Sequence, residues 1–540
     1  MSKEFNNDKS IRSLEKNARS GNFYSALQLY EYYSVGKFVG KDEIKSQFFL
    51  DLAYDIFKSQ NIKLKTLEIE NFRVLENIRI NDFDDNLNVL IGNNGAGKTT
   101  FLDAIDLSLS WLKISISKNG GSGNYIDEAD INNYSTLPYA TVSSTIKVNK
   151  KLSLQLELSK VRDGNIKVKN KLSEFKSVGD FYKYANKVDE DFNMPLLAYY
   201  NVMRSYDVNP KDLRNLDNLS DSTVTDKFDA YEKSLSGKTD FSSFVKWYKK
   251  FDDILSRRKS SPNRVEALSA LGFTEDFLNR LKTLSESSDD AKKIYSEVQA
   301  ALPVEEKEVI GDILEKNKKI INDVVSSFMA GFSDIEVQIE PMLDLIIKKN
   351  NKAISVMKLS QGEKTLLALV LDIARRLIIL NPSRENPLDG QGIILIDEFD
   401  LHLHPIWQKN IARNLKNTFP NCQFFLTTHS PSVISELDRK HVFMFNVDDN
   451  GSISVSHPPQ SFGLTITQVV NELMGPVDGQ QMGRSQYVED ELEKINSLID
   501  KETVVSLKQA KNMVKALEKL LHGDIPELVK VKVKLDFLLE

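Results

Sequence analysis

The stretch LNVLIGNNGAGKTTFLDAIDLSLSWL, residues 87–112, decides how the rest of the chain is read. It opens on a short apolar run of the kind a buried strand requires and closes on an apolar pattern of helical period. Between them, Gly92-Asn93-Asn94-Gly95-Ala96-Gly97-Lys98-Thr99 fits G-x-x-x-x-G-K-[ST] at every fixed position. A loop whose backbone N–H groups close around phosphates needs residues without a Cβ, because only glycine lets the chain come that close. Lys98 supplies a point charge for the β- and γ-phosphates, the Thr99 hydroxyl is placed for Mg²⁺, and Thr100 joins the nucleotide-binding set. The helix beginning at Lys98 turns its positive end to the same anion. A chance glycine-rich turn is the alternative, and the strand–loop–helix context counts against it. The expected cofactors are ATP and Mg²⁺.

Downstream, Gly392-Ile393-Ile394-Leu395-Ile396-Asp397-Glu398 is an apolar strand ending in two carboxylates. Such a strand can hold Asp397 beside Mg²⁺ and set Glu398 to polarise an attacking water. For the pair alone, acids favouring a helix N-terminus are the bland alternative.

Leu359-Ser360-Gln361-Gly362-Glu363-Lys364 precedes a long helix and resembles the LSGGQ-type signature of ABC ATPases, in the form of SMC-like and RecF-like heads. Taken alone, the segment is also a capping box, and both readings can hold together. The resemblance implies that Ser360 and Gly362 contact the γ-phosphate of ATP held by another subunit, hence a homodimer with ATP sandwiched between heads, or a higher oligomer. DEFDLHLHP (397–405) resembles the loop that lies at the seam of such dimers, with Asp400 and Leu401 facing it. His402 and His404 invite a metal reading, but no further ligands cluster with them in the sequence. FFLTTHSP (424–431) resembles the strand that carries the switch histidine, so the resemblance gives His429 a catalytic role beside Glu398 and Lys98. NFR (71–73) resembles the early motif that puts an arginine, here Arg73, near the nucleotide. The family's glutamine has no equivalent, since no Gln occurs between Lys98 and Gln155; a carboxylate near Asp127–Asp130 is the candidate substitute.

These motifs place the chain in the α/β class: an ABC-type P-loop NTPase head with a mixed or parallel sheet, a helical insertion, a helical N-terminal prefix and a helical C-terminal tail. The expected boundaries are a prefix at 1–60, similar to a TPR or Sel1 hairpin, head lobes at 61–205 and 330–465, the insertion at 206–329 and the tail at 466–540. The insertion lacks sustained heptads, which argues against a long coiled coil. Its length between phosphate loop and signature argues against a transporter subunit. The chain has 540 residues with 41% hydrophobic and 27% charged content, and its net charge of −6 excludes a globally basic nucleic-acid binder. Local patches stay open: KWYKKF (246–251), RRK (257–259) and Lys348, Lys349 and Lys352. Solvated helix faces are their commoner fate. The single cysteine, Cys422, suits a reducing cytosol, and a cytoplasmic location is expected. The most apolar helical stretch, LLALVLDIARRLIIL (366–380), is broken by Asp372, Arg375 and Arg376 and reads as an amphipathic helix rather than a membrane span.

The prefix, the short insertion and the tail, from LMGPVDGQQMGRS to HGDIPELVKVKVKLDFLL, resemble the ATPase of Septu-type antiphage systems and its retron-associated form. That resemblance implies a partner HNH nuclease and, in retron versions, a reverse transcriptase with its RNA–DNA product. No Asp-x-Asp follows His429, so a nuclease of the Toprim kind within the chain is not expected. A RecF- or SMC-like repair ATPase that clamps DNA is the alternative.

Overall fold

A computed structural model describes residues 2–162, 170–189, 191–202, 226–260, 305–338, 344–474, 486–521 and 525–539. They form two compact units, Met1–Leu464 and Thr465–Glu540. The first begins with helices α1 (Ser2–Arg19), α2 (Phe23–Val35) and α3 (Glu43–Lys58). Asn22 and Asp42 start α2 and α3 by accepting from the N–H groups of Ser25 and Lys45, which satisfies donors a helix start otherwise leaves bare. Phe57 is fully buried and packs on Phe181, Tyr182 and Phe192, so the prefix shares the core of the head.

Strands β1 (Lys63–Phe72) and β2 (Leu75–Ile80) follow, then β3 (Leu87–Gly92), α4 (Lys98–Ser117), β4 (Tyr139–Lys147), β5 (Ser153–Val161), α5 (Ser173–Val188) and β6 (Leu196–Tyr200). β2-β1-β4-β5 make an antiparallel sheet, and β4 buries every second residue, as one-sided strands do. The described parts of the insertion are helices α6 (Phe241–Ser260) and α7 (Glu305–Phe328) with a 3-10 turn at Lys227–Tyr231; 206–225 and 261–304 lie outside the described residues. Next come the antiparallel strands β7 (Phe332–Gln338), β8 (Asp344–Lys349) and β9 (Lys352–Ser355). Helix α8 (Gln361–Leu380), β10 (Gly392–Ile396), α9 (Pro405–Thr418), β11 (Cys422–Thr427), β12 (Val442–Val447) and β13 (Ile453–Ser456) complete the unit.

The central sheet runs β13-β12-β3-β11-β10-β6, parallel except for β13. β3, β10 and β11 are buried at every position, which is why they read as unbroken apolar runs. In register, Ile396 faces both Leu426 and Tyr200, and Thr427 faces Leu90. The carboxyl ends of β3, β10 and β11 therefore share one edge, the usual location of a ligand in an open parallel sheet.

Helix α8 departs from the amphipathic expectation: every residue from Thr365 to Leu380 is buried, the three charged ones included. Most of their polar atoms are met internally, although Arg375 Nε and Arg376 Nη2 are buried without a hydrogen-bond partner among the described residues. Asp372 accepts from Arg375 at 2.8 Å, from Arg376 at 2.9 Å and from the Tyr200 hydroxyl at 2.9 Å. Arg376 also donates to the Ala230 and Glu232 carbonyls. Burial alone would raise the Asp372 carboxyl, but Arg376 and then Arg375 hold it at about 2. Sequence periodicity cannot tell a charged exposed face from a buried ion triad. Asp372→Ala leaves two guanidinium groups buried without an anion and is expected to cost about 3–5 kcal/mol. Scanning calorimetry checks this, and an unchanged melting transition would mean the charges are solvated.

The second unit packs α10 (Gln486–Ile499), α11 (Val504–Leu521) and α12 (Pro526–Leu539) around Ile495, Ile499, Leu507, Val514, Leu528 and Leu535. The GPVDGQQMGRS part of the tail signature, 475–485, lies outside the described residues.

Candidate nucleotide site

The loop after β3 is shaped by glycine where nothing else fits. Gly97 sits at φ 87°, a left-handed value that side chains resist, and a Cβ there would meet the Leu75 side chain at 2.6 Å. It ends the loop and starts α4, which leaves the first N–H groups of that helix to face the cavity. Lys98 folds back over the loop, its Nζ donating to the carbonyls of Gly92 at 2.8 Å and Asn93 at 2.9 Å. Burial lowers its pKa to about 8, against upward pulls from Asp397 and Glu398.

Asp397 and Glu398 leave β10 directly into this loop. The Thr99 hydroxyl donates to Asp397 Oδ2 at 2.9 Å, and the Thr427 hydroxyl donates to Asp397 Oδ1. The Glu398 N–H donates to Thr427 Oγ1 at 2.7 Å, so one threonine at the end of β11 ties both acids to the sheet. Glu398 itself sits at φ 46°, a strained conformation for a residue with a side chain and one typical of functional positions. His429 emerges just beyond β11. Burial, and then the Lys98 ammonium, hold its imidazole below its ordinary pKa, with Asp397 pulling the other way. Together Asn94, Gly95, Gly97, Lys98, Thr99, Thr100, Asp397, Glu398, Thr427 and His429 line one open cavity of about 340 Å³. The cavity presents cationic and N–H donors on one side and carboxylates on the other. Thr99 and Asp397 are hard oxygen donors within hydrogen-bonding distance of each other, a set suited to Mg²⁺.

The signature segment does not join that cavity. Ser360 caps α8, its Oγ accepting from Glu363 N–H while Glu363 Oε2 accepts from Ser360 N–H at 2.8 Å. Lys349 donates to the other Glu363 oxygen at 2.7 Å. Ser360 and Gln361 are exposed. Gly362 is buried against the loop after the acidic pair, where a Cβ would stand 2.1 Å from the His402 carbonyl. The start of α8 and this loop are thus in backbone contact.

Other expectations fall differently. Arg73 does not line the cavity; it pairs with Asp103 of α4 and, at 2.8 Å, with Asp130. Asp130 is thereby engaged, and Asp127 caps the short turn Glu128–Asp130, so neither stands in for the missing glutamine in this structure. His404 caps α9 through Nδ1, and His402 is exposed. Lys348 and Lys349 pair with Asp334 and Glu363, and Trp247 and Tyr248 are buried, which removes those two aromatics from the KWYKKF reading; the side chain of Phe251 lies outside the described residues. The side chains of RRK lie outside the described residues. Sequence reasoning quoted Thr427 without giving it a role and passed over Tyr200. The signal was present in LLAYY (196–200), a wholly buried strand beside β10, whose Tyr200 carbonyl accepts from Asp397 N–H at 2.8 Å.

Residues 62–434 match the AAA ATPase domain family. The chain is 35% identical to the retron Ec83 probable ATPase of Escherichia coli over 80% of its own length and 81% of that protein. It is 32% identical to the retron Vc95 probable ATPase of Vibrio cholerae, over 84% of this chain and 87% of that one. A 73-residue stretch, 14% of this chain and 10% of the relative, is 47% identical to the Septu protein PtuA of Bacillus mycoides.

Proposed function

This chain belongs to the AAA ATPase domain family and is an ATPase, and from that premise we propose that it is the ATPase of a retron- or Septu-type defence system that regulates a partner HNH nuclease. The observation that carries the catalytic part is the convergence of Lys98, Thr99, Asp397, Glu398 and His429 on one cavity. Loop N–H groups and Lys98 receive the β- and γ-phosphates of ATP. Thr99 and Asp397 would hold Mg²⁺, which when bound neutralises phosphate charge. Glu398, fixed by Thr427, orients the attacking water and takes its proton, and His429 senses the γ-phosphate from the edge of the sheet. Ser360 and Gln361 are exposed and outside their own chain's cavity, which favours delivery of the signature to ATP on a second copy. ATP then closes a homodimer or larger assembly, and turnover resets it. In the retron form, a reverse transcriptase and its RNA–DNA product are further partners. The working compartment is the cytoplasm; among the described residues no helix is long and apolar enough to cross a membrane.

A triphosphate against Lys98 raises the pKa of its ammonium. Affinity for ATP is therefore full below about pH 8 and falls as pH rises past that value, by at most about tenfold per unit. Measuring Kd across alkaline pH checks this, and a flat profile would sink the role given to Lys98.

The wider reading is tested by purifying the chain with the products of its neighbouring genes and weighing the complex with and without ATP. A stable particle containing a nuclease is expected. A lone ATP-dependent dimer that retains duplex DNA would support the DNA-clamping repair ATPase instead.

A further inference from the structure

We infer that a second, cationic cavity, at the seam between prefix and head, binds the phosphates of a nucleic-acid strand. Six basic side chains line it: Arg19 at the end of α1, Lys63 and Lys65 of β1, and Lys147, Lys150 and Lys151 at the β4–β5 turn. They face two carboxylates, Asp55 and Asp85, and Asp85 is already taken by Lys65 at 2.7 Å. In a chain of net charge −6, this concentrates positive potential where the molecule as a whole has none.

Lys63 is the telling member. It is buried, its ammonium donates to the Asn421 carbonyl at 2.9 Å, and among the described residues no carboxylate lies within ion-pair distance. Burial depresses its pKa. Asp85 and Asp84 act on it only from beyond ion-pair contact, so the buried cation is partly compensated, and an arriving phosphate offsets the remaining cost. The cavity, about 790 Å³ against 340 Å³ at the nucleotide site, holds more than one phosphate. Phe48 does not line the cavity, but Arg19, which does, lies 5.0 Å over its exposed ring, so an aromatic stands at the cavity's margin beside a cation, as in grooves that track single strands. This favours a strand over a free polyphosphate. The six come from three separate stretches, Arg19, Lys63 with Lys65, and Lys147 with Lys150 and Lys151, which only the fold brings together, and the inference is independent of the nucleotide-site reading.

The test uses the full chain with its phosphate loop kept filled by ADP. The probes are a fluorescein-labelled oligothymidylate of about 20 nucleotides, long enough to span a single-strand groove, and inorganic tripolyphosphate. Lys147→Glu/Lys150→Glu is expected to weaken oligonucleotide binding at least about tenfold and to flatten its salt dependence by about 0.7 per contact removed. ATP hydrolysis should stay at the wild-type rate, which reports that the variant is folded. Lys501→Glu/Lys508→Glu makes the same charge change on exposed residues of the second unit and should leave binding intact. If tripolyphosphate does not displace the strand, the phosphates come from nucleic acid. If it binds tightly and only the Lys147/Lys150 variant loses it, the phosphate site stands with a free polyphosphate as its source. Wild-type protein that binds neither probe, a Lys147/Lys150 variant that binds both unchanged, or equal loss in the control variant overturns the proposal.

Discussion

Glu398→Gln is expected to bind ATP at near wild-type affinity, to hydrolyse it about 10²–10⁴-fold more slowly, and to accumulate as an ATP-locked dimer. The amide preserves the size and hydrogen-bonding reach of the side chain but cannot take a proton from water. Binding should survive because the phosphates meet the loop, Lys98 and Thr99, which have anchors that the substitution keeps: Lys98 is held by the Gly92 and Asn93 carbonyls and Thr99 by Asp397. The backbone of residue 398 is fixed independently, through Thr427 Oγ1 and a φ of 46°, so the substitution should not reorganise the loop. Single-turnover hydrolysis and native mass spectrometry with ATP read both effects. Turnover at the wild-type rate would remove Glu398 as the base.

Gly362→Ala should lower dimer-dependent turnover about 10²-fold, the effect expected from roughly 1 Å of misplacement in a catalytic arrangement, while leaving ATP binding by the single chain unchanged. Two influences oppose each other here. Helix propensity alone would stabilise α8 by about 1 kcal/mol. The added methyl, however, would stand 2.1 Å from the His402 carbonyl, a backbone atom that cannot swing aside as a flexible side chain would. Either the start of α8 or the loop after the acidic pair must move, and both belong to the surface expected to meet the second head. Comparing ATP affinity, steady-state turnover and dimer mass for the variant separates the effects. Wild-type dimerisation and turnover would show that this contact does not set the geometry.

The sequence by itself determined the local chemistry. Gly92 to Thr100 could be read because a phosphate cradle demands glycines and one lysine at fixed spacing, and β3, β10 and β11 because strands buried on both faces leave unbroken apolar runs. Lys98, Thr99, Asp397 and Glu398 were named from the phosphate loop and the end of one apolar run, His429 only through the family resemblance, and they meet in one cavity because parallel strands deliver their carboxyl ends to a common edge. Ser360 was legible as a helix cap for the same local reason. Tertiary structure alone decided what depends on partners distant in sequence. Asp372, Arg375 and Arg376 look like an exposed stripe until Tyr200 and the Ala230 and Glu232 carbonyls surround them. Arg73 and Asp130 satisfy each other instead of a nucleotide. Thr427 joins the two acids only through the β10–β11 register. Arg19, Lys63 and Lys147 are unrelated basic residues in the sequence and line one cavity only when α1, β1 and β4 are packed together. Periodicity records which face of an element is apolar, whereas the pairing of polar groups is fixed by which elements fold against one another.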